Sequence, residues 1–281
     1  MSFFGDFMKL FDKTIEGVIK YINESVFAEK YSKNKNGFLQ NIDPRVKLIV
    51  IISFVIITVF MKNIETILIM YLLSLVMAYL SKIPLLHYIK RVWLFIPIFT
   101  GIIALPILFT TPGAPIYILL NHPYITITDA GVNYAIVFTM RVATAVSYAI
   151  LLTIVTPWND IIKSLNKLGM PDIVVTIMTI AYRYIFLLMN ILLESMYSRK
   201  SRTCKKLGMK ESWIEAGKNM GALFIKTHQM GEDVYYAMCS RGYLNEAKSY
   251  STYKINVKDI LFLIIMLSIG LSFYFIDNGY F

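Results

Sequence analysis

The sequence predicts an all-α polytopic membrane protein, with about five transmembrane helices and a cytoplasmic domain of crossed long helices. Three observations predict it. Of 281 residues, 57% are apolar and 14% aromatic, and the mean hydropathy of +0.58 exceeds what a soluble domain hides in its core. Apolar runs approaching the roughly 20 residues that a helix needs to span hydrocarbon recur along the chain. Positive charge is also segregated: 15 of the 28 Lys and Arg fall between Thr156 and Lys258, whereas Val92 to Ala130 and Asp259 to Phe281 hold none.

Taken in order, residues 1–40 form an amphipathic helix and a linker. Phe4, Phe7, Phe11, Ile15, Val18 and Ile22 recur every three or four residues with Lys9, Lys13 and Lys20 between them. That pattern suits a helix lying at the headgroup boundary or packing on the protein's own cytoplasmic part, and it lacks the continuous apolar core of a cleavable signal. Residues 41–155 carry four spans, at about 46–61, 64–81, 92–110 and 132–155, and a fifth lies at 259–276 within the last segment, 259–281. Residues 1–47 hold eight Lys or Arg, three lie in 82–91, and the Pro-rich loop Thr111 to Ala130 has none. Alternation then sets the amino terminus in the cytoplasm of a prokaryotic cell and the tail Asp277 to Phe281 outside.

Residues 156–258 read as the cytoplasmic domain. A short helix covers Asn159 to Leu168 and stops at Gly169-Met170-Pro171; long helices run from about Asp172 to Lys206 and from about Glu211 to Ser240. The stretch Ile173 to Leu193 is apolar enough to span, yet it contains Arg183, and crossing would put the next 12 Lys and Arg outside. It therefore reads as a helix against the inner membrane face or the other cytoplasmic helices. In the last long helix, Gly217-x-x-x-Gly221 would let another helix approach closely.

The net charge of +10 fits this topology and anionic lipid, and no pattern of stacking aromatics points to nucleic acid. Cys204 and Cys239 read as structural thiols, and His87, His122 and His228 are too scattered for ligand spacing, so no metal site and no cofactor are expected. Paired acidic motifs, a phosphate loop and an activated nucleophile are all missing, which argues against a membrane-embedded enzyme. A self-sufficient secondary transporter would carry inverted repeats or several polar intramembrane positions, whereas Arg141 is nearly alone in the fourth span. Arg141 pairs either within the bundle or with a partner subunit. Ala143, Ala145, Ser147 and Ala149 on the same span serve helix packing or seat a partner. Pro97 and Pro106 are expected to kink the third span.

Near the ends of the long helices stand two related tripeptides, Ser201-Arg202-Thr203 and Ser240-Arg241-Gly242. Arginine at a helix end offers a planar fork for bidentate pairing with a carboxylate, and small neighbours let the helix seat deeply. Gly242 is expected to end its helix.

Together with Asn41-Ile42-Asp43-Pro44-Arg45-Val46-Lys47-Leu48, Thr156-Pro157-Trp158, Leu168-Gly169-Met170-Pro171, Tyr182-Arg183-Tyr184 and Ala237 to Tyr243, these tripeptides resemble the transmembrane coupling subunit of energy-coupling-factor ABC importers. The likeness is greatest to the CbiQ branch, found with cobalt or nickel uptake, and covers about residues 40–276. It implies a non-catalytic subunit that links CbiO-like ATPases to a CbiM-like capture protein, with a CbiN-like small membrane protein as a further partner. Cobalt is the implied cargo, with nickel or a vitamin as alternatives. The resemblance also implies that Ser201, Arg202, Thr203, Ser240, Arg241 and Gly242 bind the ATPases. Thr203 stands where the family usually has Gly, and Arg199, three residues before Arg202, could share the first anchor.

Overall fold

A computed structural model describes Glu16, Gly17, Lys20 and residues 37–111, 115–121, 124–202, 208–243 and 256–279. Most of the amphipathic amino-terminal segment, Thr203 and Cys204 lie outside the described residues. The chain divides into two compact units: residues 28–164 with 253–281, and residues 1–27 with 165–252.

The first unit is a helical bundle. Its helices are α1 (Pro44–Phe60), α2 (Ile64–Leu80), α3 (Leu85–Thr110) and α4 (Asp129–Val155), followed by most of α5 (Trp158–Lys167). The carboxyl-terminal helix α8 (Val257–Asp277) completes it. Each of the five predicted apolar runs is a helix, and α3 starts seven residues before its run because Pro84 provides a helix-initiating turn. The uncharged loop after α3 is not irregular: β1 (Pro115–Asn121) and β2 (Tyr124–Thr128) pair as an antiparallel hairpin with register shifts. Thr128 closes that hairpin onto the bundle. Its hydroxyl accepts the Gly131 N–H at 3.1 Å as the cap of α4 and donates to the Thr111 carbonyl at 2.9 Å.

Phe54, Tyr88, Tyr148, Leu151, Met70 and Val50 are fully buried in the middle of the bundle, and the rings of Phe54 and Tyr148 lie 5.2 Å apart. Between apolar helices lipid is as good a solvent as leucine, so close packing and satisfied polar groups hold the bundle instead of water expulsion. Small and hydroxyl-bearing residues supply both. Ala143 and Ser147 of α4 are buried, so this part of the small-residue surface packs within the bundle; Ala149 is exposed. Ser147 Oγ meets Ser74 Oγ of α2 at 2.7 Å, and Tyr88 of α3 donates to the Ser147 carbonyl at 2.8 Å. Tyr148 donates to the Met70 carbonyl at 2.8 Å. Buried hydroxyls thus stitch α2, α3 and α4 together where no water can replace the bonds.

Helix α8 runs parallel to α1 and is pinned to it at both ends. At the start, Asp259 accepts the N–H of Asn256 at 2.9 Å and that of Asp43 at 3.1 Å, while Asp43 caps α1 by accepting the Arg45 N–H at 2.9 Å. At the other end, Asp277 accepts the Lys62 and Asn63 N–H groups at 2.7 and 2.9 Å and the Thr66 hydroxyl at 2.6 Å. The sequence reading began the outer tail at Asp277; its side chain is a buried cap on the α1–α2 turn. Midway, a Cβ on Gly270 would meet Ile57 Cδ1 at 2.9 Å and Phe54 Cε1 at 3.0 Å, so the glycine sets how closely α8 approaches α1.

The second unit contains α6 (Asp172–Arg202) and α7 (Met209–Ser240), which match the predicted pair of long helices to within a few residues. They run antiparallel and share few buried residues; among those described, Met196 and Asn219 are buried.

Candidate functional site

The second unit carries the arginines singled out in the sequence. Ser201 and Arg202 occupy the last turn of α6 and are exposed; the Ser201 hydroxyl donates to the Tyr197 carbonyl at 3.0 Å. Their neighbour Thr203 is outside the described residues. At the end of α7, the Ser240 hydroxyl donates to the Tyr236 carbonyl at 2.8 Å, Arg241 is the capping residue, and both are exposed.

Gly242 ends α7 as expected. Its φ of 69° is left-handed, its N–H reaches the Cys239 carbonyl at 3.0 Å, and the Tyr243 N–H reaches the Met238 carbonyl at 3.1 Å. This pair of bonds is a Schellman turn, which satisfies the carbonyls that a helix end leaves open and fixes the direction in which Arg241 leaves the helix. Tyr243 then ties the turn to the start of α6, its hydroxyl lying 3.1 Å from Thr176 Oγ1. The sequence reading quoted Tyr243 only as part of the motif. Its role as a strut needed a partner 67 residues away.

At the other end of the pair, Arg199 Nη1 contacts Glu215 Oε2 at 2.6 Å, Lys218 Nζ contacts Glu215 Oε1 at 2.6 Å, and Ser195 donates to Asn219 Oδ1 at 3.2 Å. The hydrogen bond from Lys218, together with the charges of Lys218 and Arg199, holds the Glu215 carboxyl below its ordinary value. Arg199 is thus engaged with α7 and half-buried, unlike Arg202 one turn on.

Because the helices are antiparallel, the structure does not bring Arg202 and Arg241 together. They stand at opposite ends of the pair, separated by the length of α7, roughly 45 Å at 1.5 Å per residue. Gly217 and Gly221 are exposed, and a Cβ on either would meet nothing within 4 Å, so the close helix approach that their spacing suggested is not made within the described residues.

Arg141 lies in the first unit. Its Nη2 donates to the Met61 carbonyl at 2.6 Å, where α1 ends, and its buried Nε has no hydrogen-bond partner. The bond within the bundle answers one of the two readings of this residue. Although Arg141 is central in α4, α1 has only 17 residues, about 25 Å, so the guanidinium is level with the end of α1. Among the described residues no group of three or more His, Cys, Asp or Glu could hold a metal ion.

Three described helices, α4, α6 (to Arg199) and α8, are long and apolar enough to cross a membrane by length and composition, and with the packed bundle they define a helical polytopic membrane protein. The family described as CbiQ, cobalt transport protein, matches residues 35–251, and the chain belongs to it. It is 55% identical over 273 residues to an uncharacterized protein of Methanocaldococcus jannaschii, covering 96% of this chain and 93% of that one. It is also 30% identical over 224 residues to the energy-coupling factor transporter transmembrane protein EcfT of Brevibacillus brevis, covering 74% and 81% of the two chains. The EcfT of Staphylococcus aureus is 28% identical over 253 residues, covering 84% and 91%. The family is that of transmembrane, energy-coupling components of energy-coupling-factor transporters.

Proposed function

We propose that this chain is the subunit that transmits ATP-driven motion from cytoplasmic CbiO-like ATPases to a CbiM-like substrate-capture membrane protein, with cobalt ion as the cargo and a CbiN-like protein as an accessory partner. The single observation carrying this reading is the pair of exposed arginines, Arg202 and Arg241, one at the end of each long helix of a chain in this family. Their separation suits two docking points on two ATPase subunits, and the Schellman turn holds Arg241 ready for a bidentate contact. Cobalt is favoured by the description of the family, while the EcfT relatives carry no cargo in their names.

In this reading the amino terminus and residues 156–258 are cytoplasmic. Helix α6 has the composition of a span but carries Arg183 at its centre. Its partner α7 bears Lys210, Glu211, Glu215, Lys218, Lys226, Glu232 and Asp233, and a helix bonded along such a surface shares its aqueous setting. The bundle of 41–155 with 259–281 is the membrane part, and 1–40 an amphipathic appendage.

Substituting both Arg202→Ala and Arg241→Ala should abolish co-purification of the ATPases and ATP-dependent cobalt uptake while the protein still inserts; Lys at either position should restore little. Wild-type uptake by the double variant, or labelling of Lys218 from outside intact cells, would refute the reading.

A further inference from the structure

Helix α6 has the apolar content of a span and, in the reading above, no membrane around it. Its side toward α7 is marked by Ser195 and Arg199, which bond to that helix. Roughly a third of a turn round, at about 100° per residue, runs a second apolar stripe. It consists of Met178, Tyr182, Phe186, Met189, Leu193 and Met196, spaced three or four positions apart. Met196 is 6% exposed and the other five are half-buried, whereas Ile173 and Ile177 on the same helix are 58% and 60% exposed. The stripe is sheltered although α7 lies to one side of it.

Besides α6 and α7, their compact unit holds one other stretch long enough to run beside 178–196, and that is residues 1–27. In that stretch Phe4, Phe7, Phe11, Ile15, Val18 and Ile22 make a seam of the same spacing. From 4 to 22 and from 178 to 196 are 18 positions each, so as helices the two seams have equal lengths of about 27 Å. Most of the segment lies outside the described residues, but Glu16 and Lys20 are described, and both are helical and exposed. On a helix they fall on the side opposite Phe4, Phe11, Ile15 and Ile22, so charge faces water and the seam faces protein or lipid. The segment precedes residue 35, where the family match starts, so the family's shared pattern assigns it nothing.

We infer that residues 4–22 dock apolar side down along the Met178–Met196 stripe, as the third helix of the cytoplasmic unit. This rests on the cytoplasmic placement of 156–258 proposed above, and it supplies what that placement lacks. A span-like helix outside the bilayer must hide its apolar surface, and two seams of matching length and spacing hide each other. The basic and acidic side of the segment then replaces apolar α6 surface as the face shown to water.

The test uses the full-length chain in lipid nanodiscs, carrying the photo-crosslinking residue p-benzoylphenylalanine at Phe11, at Met189 or, as a control on the charged side, at Lys13. Illumination followed by peptide mapping should join position 11 to residues 178–196 and position 189 to residues 4–22, while position 13 gives no product with α6. In Phe7→Asp with Phe11→Asp, amide exchange across 178–196 should rise about tenfold. Attachment of position 11 to lipid while position 189 avoids lipid makes the segment a membrane anchor, which overturns the docking and leaves the cytoplasmic placement of α6 standing. Lipid adducts at both positions put α6 itself in the bilayer, and placement and docking fall together. Attachment of position 11 to any other helix, equal labelling of α6 from position 13, or unchanged exchange in the double variant also overturns the docking.

Discussion

The bundle and the α6–α7 pair are both made of long apolar-rich helices, and they differ in where their side chains go. In the bundle, α8 is bonded to α1 at both ends, hydroxyls join α2, α3 and α4, and Phe54 and Tyr148 are wholly enclosed. In the pair, Trp213 and Phe224 are 71% and 74% exposed, and the helices are held by a few polar struts, Arg199–Glu215, Ser195–Asn219 and Thr176–Tyr243. A helix pair that buries so little of itself is not built to be stable alone. Its arginines and many of its apolar side chains are exposed, whereas the bundle encloses its own core.

The sharpest way to break that contrast is to remove equivalent aromatic side chains. Phe54→Ala should destabilise the protein by about 2–3 kcal/mol in a detergent unfolding titration, the lower side of large-to-small core changes, because lipid offers little transfer energy and mainly the cavity counts. Phe224→Ala should leave the same titration unchanged within about 0.5 kcal/mol. Equal losses at both positions would mean that α7 has a core of its own.

A smaller effect is expected from glycines. Gly270→Leu would force α8 away from Ile57 and Phe54, at a cost of about 1–3 kcal/mol, whereas Gly221→Leu meets no atom and should be tolerated. Thermal unfolding of the two variants compares them directly, and a large loss for Gly221→Leu in the isolated chain would sink the contrast.

The smallest effect concerns pH. The folded-state carboxyl of Glu215 is held below its ordinary value by Lys218 and Arg199, so its contribution is complete above the unfolded-state pKa and disappears as pH falls through the folded value. Amide exchange at the start of α7, corrected for intrinsic pH dependence, should lose protection on the acid side of the ordinary carboxylate range. Glu215→Gln should show low protection already at neutral pH, and it should not alter exchange in the bundle.

Much of this architecture was legible in the chain because its signals are local. Runs of apolar residues have the length of spans, Gly169-Met170-Pro171 stops a helix, and Gly242 needs no partner to end one. That Arg202 and Arg241 stand at helix ends was legible because the helical patterns stop there. The β-hairpin was missed because its strands lie in a loop between Pro-containing segments with no clear alternation. The capping roles of Asp259 and Asp277 were missed since an acid at the end of an apolar run looks like ordinary interfacial charge. Arg141 is central in α4, as its place in the span predicts, and only the tertiary structure gives it the Met61 carbonyl at the end of α1 as a partner.

By itself, the sequence determined the segments: which stretches are helical and which are apolar enough for lipid. These follow from composition over windows of ten to twenty residues, where backbone hydrogen bonding and transfer energy dominate. Tertiary structure alone decided the partners, including Asp43 with Asp259, Asp277 with the α1–α2 turn, Arg199 with Glu215, and the opposite placement of the two arginines. Such pairings join residues 16 to 216 positions apart, and their strength depends on burial and direction, which no local pattern encodes.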